Sequence, residues 1–257
     1  MSATVRQSAT SLAALVSALL AATGSLAADS NGINAYTASY EVEYRNFSGD
    51  AEFGVRTNDD GEYVFESTIK IRGLAARALL GKDPALEGSR FVVTDGRIVP
   101  RRFWYEDGTR KGEDNFVIDF NAEDSAIRIS GPEVSRNLKY ETGLLDRGSL
   151  QVELMRDLTA CAVPGPYRYV DDEGITTYQY ERLDDAVTET GIGEVATIRF
   201  AQQREGSSRR TVLWLAPEYA YVPVRIERYR EGEVEWNFAL NSLSGIERTE
   251  PACSGFR

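Results

Sequence analysis

Tyr36-Thr37-Ala38-Ser39-Tyr40-Glu41-Val42-Glu43-Tyr44-Arg45 alternates with a strict period of two, tyrosines and small apolar residues on one face, polar and charged residues on the other. Successive side chains of an extended chain point to opposite faces, so this stretch is a strand in a sheet with one covered and one wetted face. The same pattern recurs outward from it. Phe116, Ile118 and Phe120 form one apolar row, Val234, Trp236, Phe238 and Leu240 another, and Val222, Val224 and Ile226 a third. Between such runs stand Asp60-Gly61, Asp95-Gly96, Asp107-Gly108, Glu173-Gly174 and Glu231-Gly232. Glycine reaches positive φ at little steric cost, and an acidic residue followed by glycine between alternating strands marks a hairpin. Repeated along the chain, these signals predict an all-β antiparallel meander.

One segment breaks the strand pattern decisively. Residues 146–159 read as a helix, with Asp146 as N-cap and Pro164-Gly165 preventing continuation. At 100° per residue, Leu144, Leu150, Leu154, Met155 and Leu158 cover well over a third of its circumference, widened by Val152 and Leu145. An apolar arc that wide suits a helix enclosed by a curved sheet, so the expected architecture is a half-open barrel curled around 146–159. A second break, residues 73–80 followed by Gly81, is apolar without strand alternation. It reads as a helical turn plugging one end of the core, with a ligand lid as the alternative.

The N-terminus has the shape of an export signal. Arg6 is the only charged side chain before Asp29, residues 12–22 are apolar, and Ser25-Leu26-Ala27 offers a cleavage site. That core is shorter than the ~20 apolar residues a membrane span needs. The expectation is a leader over 1–27, cleaved near Ala27, and one periplasmic, monomeric domain over 28–257. In an oxidising compartment the two cysteines, Cys161 and Cys253, read as a structural disulfide, with two free buried thiols as the alternative.

The 257-residue chain carries 29 basic and 40 acidic side chains, a formal charge of −11. Such a surface repels nucleic-acid phosphates and anionic headgroups, so neither is an expected non-specific partner. Histidine is absent, which removes Ser-His-Asp and Cys-His catalysis and histidine-ligated metals. Ser67-Thr68-Ile69-Lys70 matches S-x-x-K but lies in a strand-like run that sends the two side chains to opposite faces. Acidic clusters at Asp59-Asp60, Glu123-Asp124, Asp171-Asp172-Glu173 and Asp184-Asp185 read as turn residues rather than paired catalytic carboxylates. Gly191-Ile192-Gly193 lacks the third glycine of a nucleotide loop, and no cofactor is expected.

The chain is rich in aromatics, with 13 Tyr, 10 Phe and 3 Trp. Core packing is their default role. The sharper expectation is a sheet that does not quite close over its helix and leaves an apolar cavity. Its candidate lining is Leu74, Leu79 and Leu80 at the mouth, Leu150, Leu154 and Leu158 on the helix, and Trp104, Phe116, Trp214 and Trp236 on the sheet.

Several ordered strings resemble the bacterial envelope family known as domain of unknown function 3108. They are 95–100 with Phe103, Gly73-Leu74-Ala75, 146–150, 214–217 and 223–226. Thr188-Glu189-Thr190-Gly191 departs from the family, where a Thr-Pro dipeptide is expected. The resemblance implies a periplasmic protein whose fold is similar to the half-barrel of the outer-membrane lipoprotein carriers and receptors, with no catalytic residues. It leaves two expectations: a non-catalytic binder of a lipid or lipoprotein acyl chain, or a filled interaction module with an envelope protein partner.

Overall fold

The computed structural model describes residues 31–74, 81, 83–251 and 253. The predicted leader over 1–27 and the mouth residues Leu79 and Leu80 lie outside the described residues. In chain order, β1 is Tyr36–Tyr44, β2 Phe47–Thr57, β3 Tyr63–Ile71, β4 Ala85–Thr94, β5 Arg97–Glu106, β6 Phe116–Asn121, β7 Ala126–Ser130, β8 Ser135–Lys139 and β9 Leu144–Leu145. The helix α1, Arg147–Thr159, follows. β10 is Tyr167–Val170, β11 Ile175–Thr190, β12 Gly193–Arg204, β13 Arg209–Ala216, β14 Val222–Arg230 and β15 Glu233–Ser244.

The fifteen described strands make one sheet in the order β8-β7-β6-β5-β4-β3-β2-β1-β15-β14-β13-β12-β11-β10-β9. Two meanders therefore fan out from the β1–β15 pair, which joins the start of the described chain to its end. All neighbouring pairs are antiparallel except β9 with β10. The hairpin turns expected from sequence form where predicted. Asp95 and Gly96 both have positive φ (51° and 72°), as do Glu231 and Gly232 (54° and 88°), the backbone a two-residue hairpin loop requires.

The sheet is open, and it curls. β8 and β9 are its two edges, with no ladder between them among the described residues. Leu144 of β9 and Val170 of β10 nonetheless bury in one cluster with Phe103, Phe116, Ile118, Ile127 and Ile129 of β5 to β7. Residues at opposite ends of the strand order meet only if the sheet bends back on itself. The result is a half-barrel whose seam is sealed by side chains instead of hydrogen bonds.

Helix α1 lies inside this curl. Leu150, Leu154 and Leu158 are 3%, 1% and 0% exposed, and they belong to one core with Tyr36, Tyr40, Phe65 and Phe91 of the inward sheet face. Gly148 sets how closely the helix approaches: a Cβ there would stand 2.7 Å from the Phe65 ring and from the Ser89 Cβ. At the other end of the helix, Arg156 donates to the carbonyls of Asn31 (3.1 Å) and Gly96 (3.0 Å), and the Tyr36 hydroxyl donates to the Met155 sulfur. The Cys161–Cys253 disulfide forms, closing a separation of 92 residues and tying the end of α1 to the C-terminal segment. We call this the closed end.

The N-cap is Asp146, as the sequence predicts. Its carboxylate accepts from the Ser149 backbone N–H (2.9 Å) and the Ser89 hydroxyl (2.8 Å), and the Ser149 hydroxyl accepts from the Asp146 N–H (2.9 Å). Asp146 is wholly buried, and burial pushes its carboxyl up to about 7 against those hydrogen bonds, which favour the charge. An acid with a higher pKa folded than unfolded binds more protons in the folded state between the two values. Stability therefore falls as pH rises from the ordinary 3.8 through about 7, and stays lower above it. Asp146→Asn keeps a capping oxygen without a charge. Its melting temperature relative to wild type should climb across that interval, and a pH-independent difference would contradict the assignment.

One sequence expectation is corrected. Asp184 and Asp185 are not turn residues; they sit inside β11, where the register with β12 shifts between Leu183 and Ala186. A β-bulge also needs residues that tolerate irregular backbone, so the local composition is the same.

Candidate functional site

The register assigns every strand residue to a face. Starting from Tyr40, buried and inward, the ladder runs through Ala51 to Ile69 on one side and Leu240 on the other. Continued across the sheet, the concave face carries Phe53, Ser67, Glu87, Phe103 and Tyr105 on one arm. On the other arm it carries Trp236, Phe238, Ile226, Arg228, Thr211, Leu213, Phe200 and Gln202. Ser67 is therefore concave and Lys70 convex, which rules out their cooperation.

Helix α1 fills only the closed-end half of this concavity. At the opposite, open end, Phe53, Ile69, Ile71, Tyr178, Tyr180 and Trp236 point inward yet are only half-buried. Around them stand the β1–β2 turn, Leu74 after β3 and the β14–β15 turn. Two large apolar side chains at this mouth are exposed, Leu74 (87%) and Val234 (47%). The β3–β4 connection that carries Leu74 is tied to the β5–β6 loop by the Asp83 N–H donating to the Gly108 carbonyl (3.3 Å).

Charged groups lie between the helix and this open half. Arg147, the first residue of α1, forms an ion pair with Glu87 of β4 (2.7 Å) and lies over the rings of Phe103 and Tyr105, each 5.9 Å away. Glu87 lifts the Arg147 guanidinium further above its usual range. Tyr169 and Tyr178 stack at 4.7 Å on the facing arm, and the Tyr169 hydroxyl donates to Asp171 (2.9 Å). Burial raises the Tyr169 hydroxyl far above its ordinary value, so it stays a donor at any physiological pH. Among the described residues, no group of three or more acidic or cysteine side chains is arranged to hold a metal.

The candidate residues named from sequence separate into four places. Leu150, Leu154 and Leu158 are consumed by packing of the helix. Phe116 is inward but buried in the seam cluster. Trp236 lines the open half, and Leu74 stands at its mouth. Trp104 and Trp214 are on the convex face. Trp104 covers Gly88, where a Cβ would stand 1.9 Å from the indole. It borders a groove of about 360 Å³ whose walls include Glu52, Arg56, Glu66 and Thr68. Trp214 lies between the guanidinium groups of Arg199 and Arg225, 5.7 and 5.3 Å from its ring.

The sequence profile described as "protein of unknown function (DUF3108)" matches residues 35–232. The chain belongs to this family. The match stops just before β15, the strand that pairs with β1. Among curated proteins none matches the sequence. Among solved structures, the chain is similar to a β-barrel-like protein of domain of unknown function DUF1849 from Brucella abortus. The TM-score is 0.52 at 10% identity, over 84% of this chain and 98% of that one. A weaker likeness, TM-score 0.32 at 12% identity, is to the Pseudomonas aeruginosa MucA/MucB complex, over 82% of this chain and 51% of that one. The first likeness shows the fold alone.

The sequence reading missed Arg147, Glu87 and Arg228 as groups facing the concavity. A signal was present for Arg228. The apolar row Val222, Val224, Ile226 continues by two residues onto it.

Proposed function

We propose that this DUF3108 protein is a non-catalytic envelope factor that holds the apolar part of a ligand, a lipid or lipoprotein acyl chain, in the open half of its concave face. One observation carries this reading: inward-facing aromatic and aliphatic side chains that α1 leaves half-buried, beside an exposed Leu74 at the mouth. An acyl chain covering them gains about 0.8 kcal/mol per methylene removed from water. In this reading the leader over 1–27 directs export, residues 28–257 act as one monomeric domain in the periplasm, and the disulfide forms there. Among the described residues, no helix is long and apolar enough to cross a membrane.

A second reading, docking of an envelope protein partner, draws on β8. Ser135–Lys139 is a free sheet edge with mostly exposed side chains, where a partner strand can add by backbone hydrogen bonds.

Native mass spectrometry of exported protein purified without detergent separates the two. The carrier reading expects a population heavier than the bare chain by one lipid mass, lost after organic extraction and regained with added fatty acid. Bare chain only, with no uptake, favours the module.

A further inference from the structure

Arg228 of β14 is exposed, and the register with Thr211 and Trp236 puts its side chain on the concave face. It faces Arg147 of α1, Glu87 of β4, Tyr178 of β11 and Arg209 of β13. Its cross-strand neighbours are Thr211 and Trp236. Two nearby arginines are paired, Arg147 with Glu87 (2.7 Å) and Arg204 with Glu173 (2.8 Å), whereas Arg209 has no ion pair among the described residues. Arg228 has no carboxylate partner among the described residues. The single acid facing it, Glu87, is already held by Arg147.

The concave face therefore keeps uncompensated positive charge at Arg228, with Arg209 of β13 beside it, in a protein of formal charge −11. Desolvation, then the like charge of Arg147, holds the Arg228 guanidinium below its ordinary range. A cation in that position is left wanting an anion, and the hydroxyl of Thr211 beside it supplies a further donor. The apolar wall begins one strand away, at Trp236 and Phe238. Charge and grease are side by side on one concave surface.

We infer that the ligand is a single-chain anionic amphiphile, with its carboxylate or phosphate head on Arg228 and Thr211 and its hydrocarbon along Trp236, Phe238, Phe53 and Ile69. This rests on the carrier reading above and narrows it, because a neutral lipid leaves Arg228 unpaired when the chamber is filled and dried. Charge-assisted hydrogen bonds are the strong ones in such a site, and discrimination follows from the cost of leaving the guanidinium unmatched.

The test uses delipidated mature protein titrated with dodecanoate, dodecyl phosphate, 1-dodecanol and dodecyltrimethylammonium. Each probe stays below its micelle-forming concentration, and binding is read by tryptophan fluorescence. The inference expects either anionic probe to bind at least tenfold tighter than dodecanol, and the cationic probe weakest. Arg228→Gln should bring the anionic probes down to the dodecanol level and leave dodecanol unchanged, with an unaltered melting temperature. Arg228→Lys should retain most of the preference. Carboxylate and phosphate heads are told apart by which anionic probe binds tighter. Equal binding of dodecanol and both anions, or a preference untouched by Arg228→Gln, overturns the inference while the carrier reading stands. No binding of any probe overturns both.

Discussion

Leu158→Ala lowers the unfolding free energy by about 2–5 kcal/mol, the cost of a buried leucine replaced by alanine in a core that relaxes incompletely. Leu158 is 0% exposed and shares its core with strands from both arms of the sheet. Truncating it opens a void that neither arm can close without the other moving. Leu74→Ala, by comparison, removes a side chain that is 87% exposed and stays within about 0.5 kcal/mol of wild type. Urea denaturation of both variants reads the difference. Equal midpoints would mean that α1 is not clasped by the sheet.

Loss of the disulfide is the second large effect. Cys161→Ser with Cys253→Ser should cost about 2–5 kcal/mol, since the bridge closes a 92-residue separation and constrains the unfolded chain. The damage has a location. The Cys253 sulfur sits 3.4 Å from the Leu158 carbonyl, at the last turn of α1. Freed from it, the C-terminal segment is held by the Thr249 N–H on the Glu218 carbonyl (2.9 Å) and the Arg248–Glu218 ion pair (2.8 Å). Exposed ion pairs contribute about 0–1 kcal/mol each. Hydrogen exchange should then rise at 156–162 and 247–253 while the open-end strands keep their protection. A reductant should reproduce the shift in wild type and leave the double variant unchanged.

The elements legible in the sequence were those whose period belongs to one face. β1 alternates buried and exposed with almost no exception, so its inward row could be read directly. Asp146 capped the helix for the same kind of reason, a short polar side chain before an apolar run. The tryptophans failed that test. Trp104 stands in Phe103-Trp104-Tyr105 and Trp214 in 212–216, runs that are apolar on both faces, so period two assigns no side. Only the register through Gly88 and Arg225 places them outside. The helical leucines were correctly apolar, but their surface goes to packing against the inward sheet face. Arg228 was hidden by its company: 225–230 reads Arg-Ile-Glu-Arg-Tyr-Arg, four charges in six residues as on a wet strand, so continuing the row from Ile226 onto a charge was not a natural step, and its inward direction follows from pairing with Trp236.

The claim that joins these observations is that ligand meets the concave face at the open end. The direct measurement is quenching by a brominated fatty acid, a contact effect, in three variants that each retain one of Trp104, Trp214 and Trp236, the others replaced by phenylalanine. The account predicts saturable quenching of Trp236 and none of Trp104 or Trp214. Quenching of Trp104 with Trp236 unaffected would place the ligand on the convex groove and contradict it.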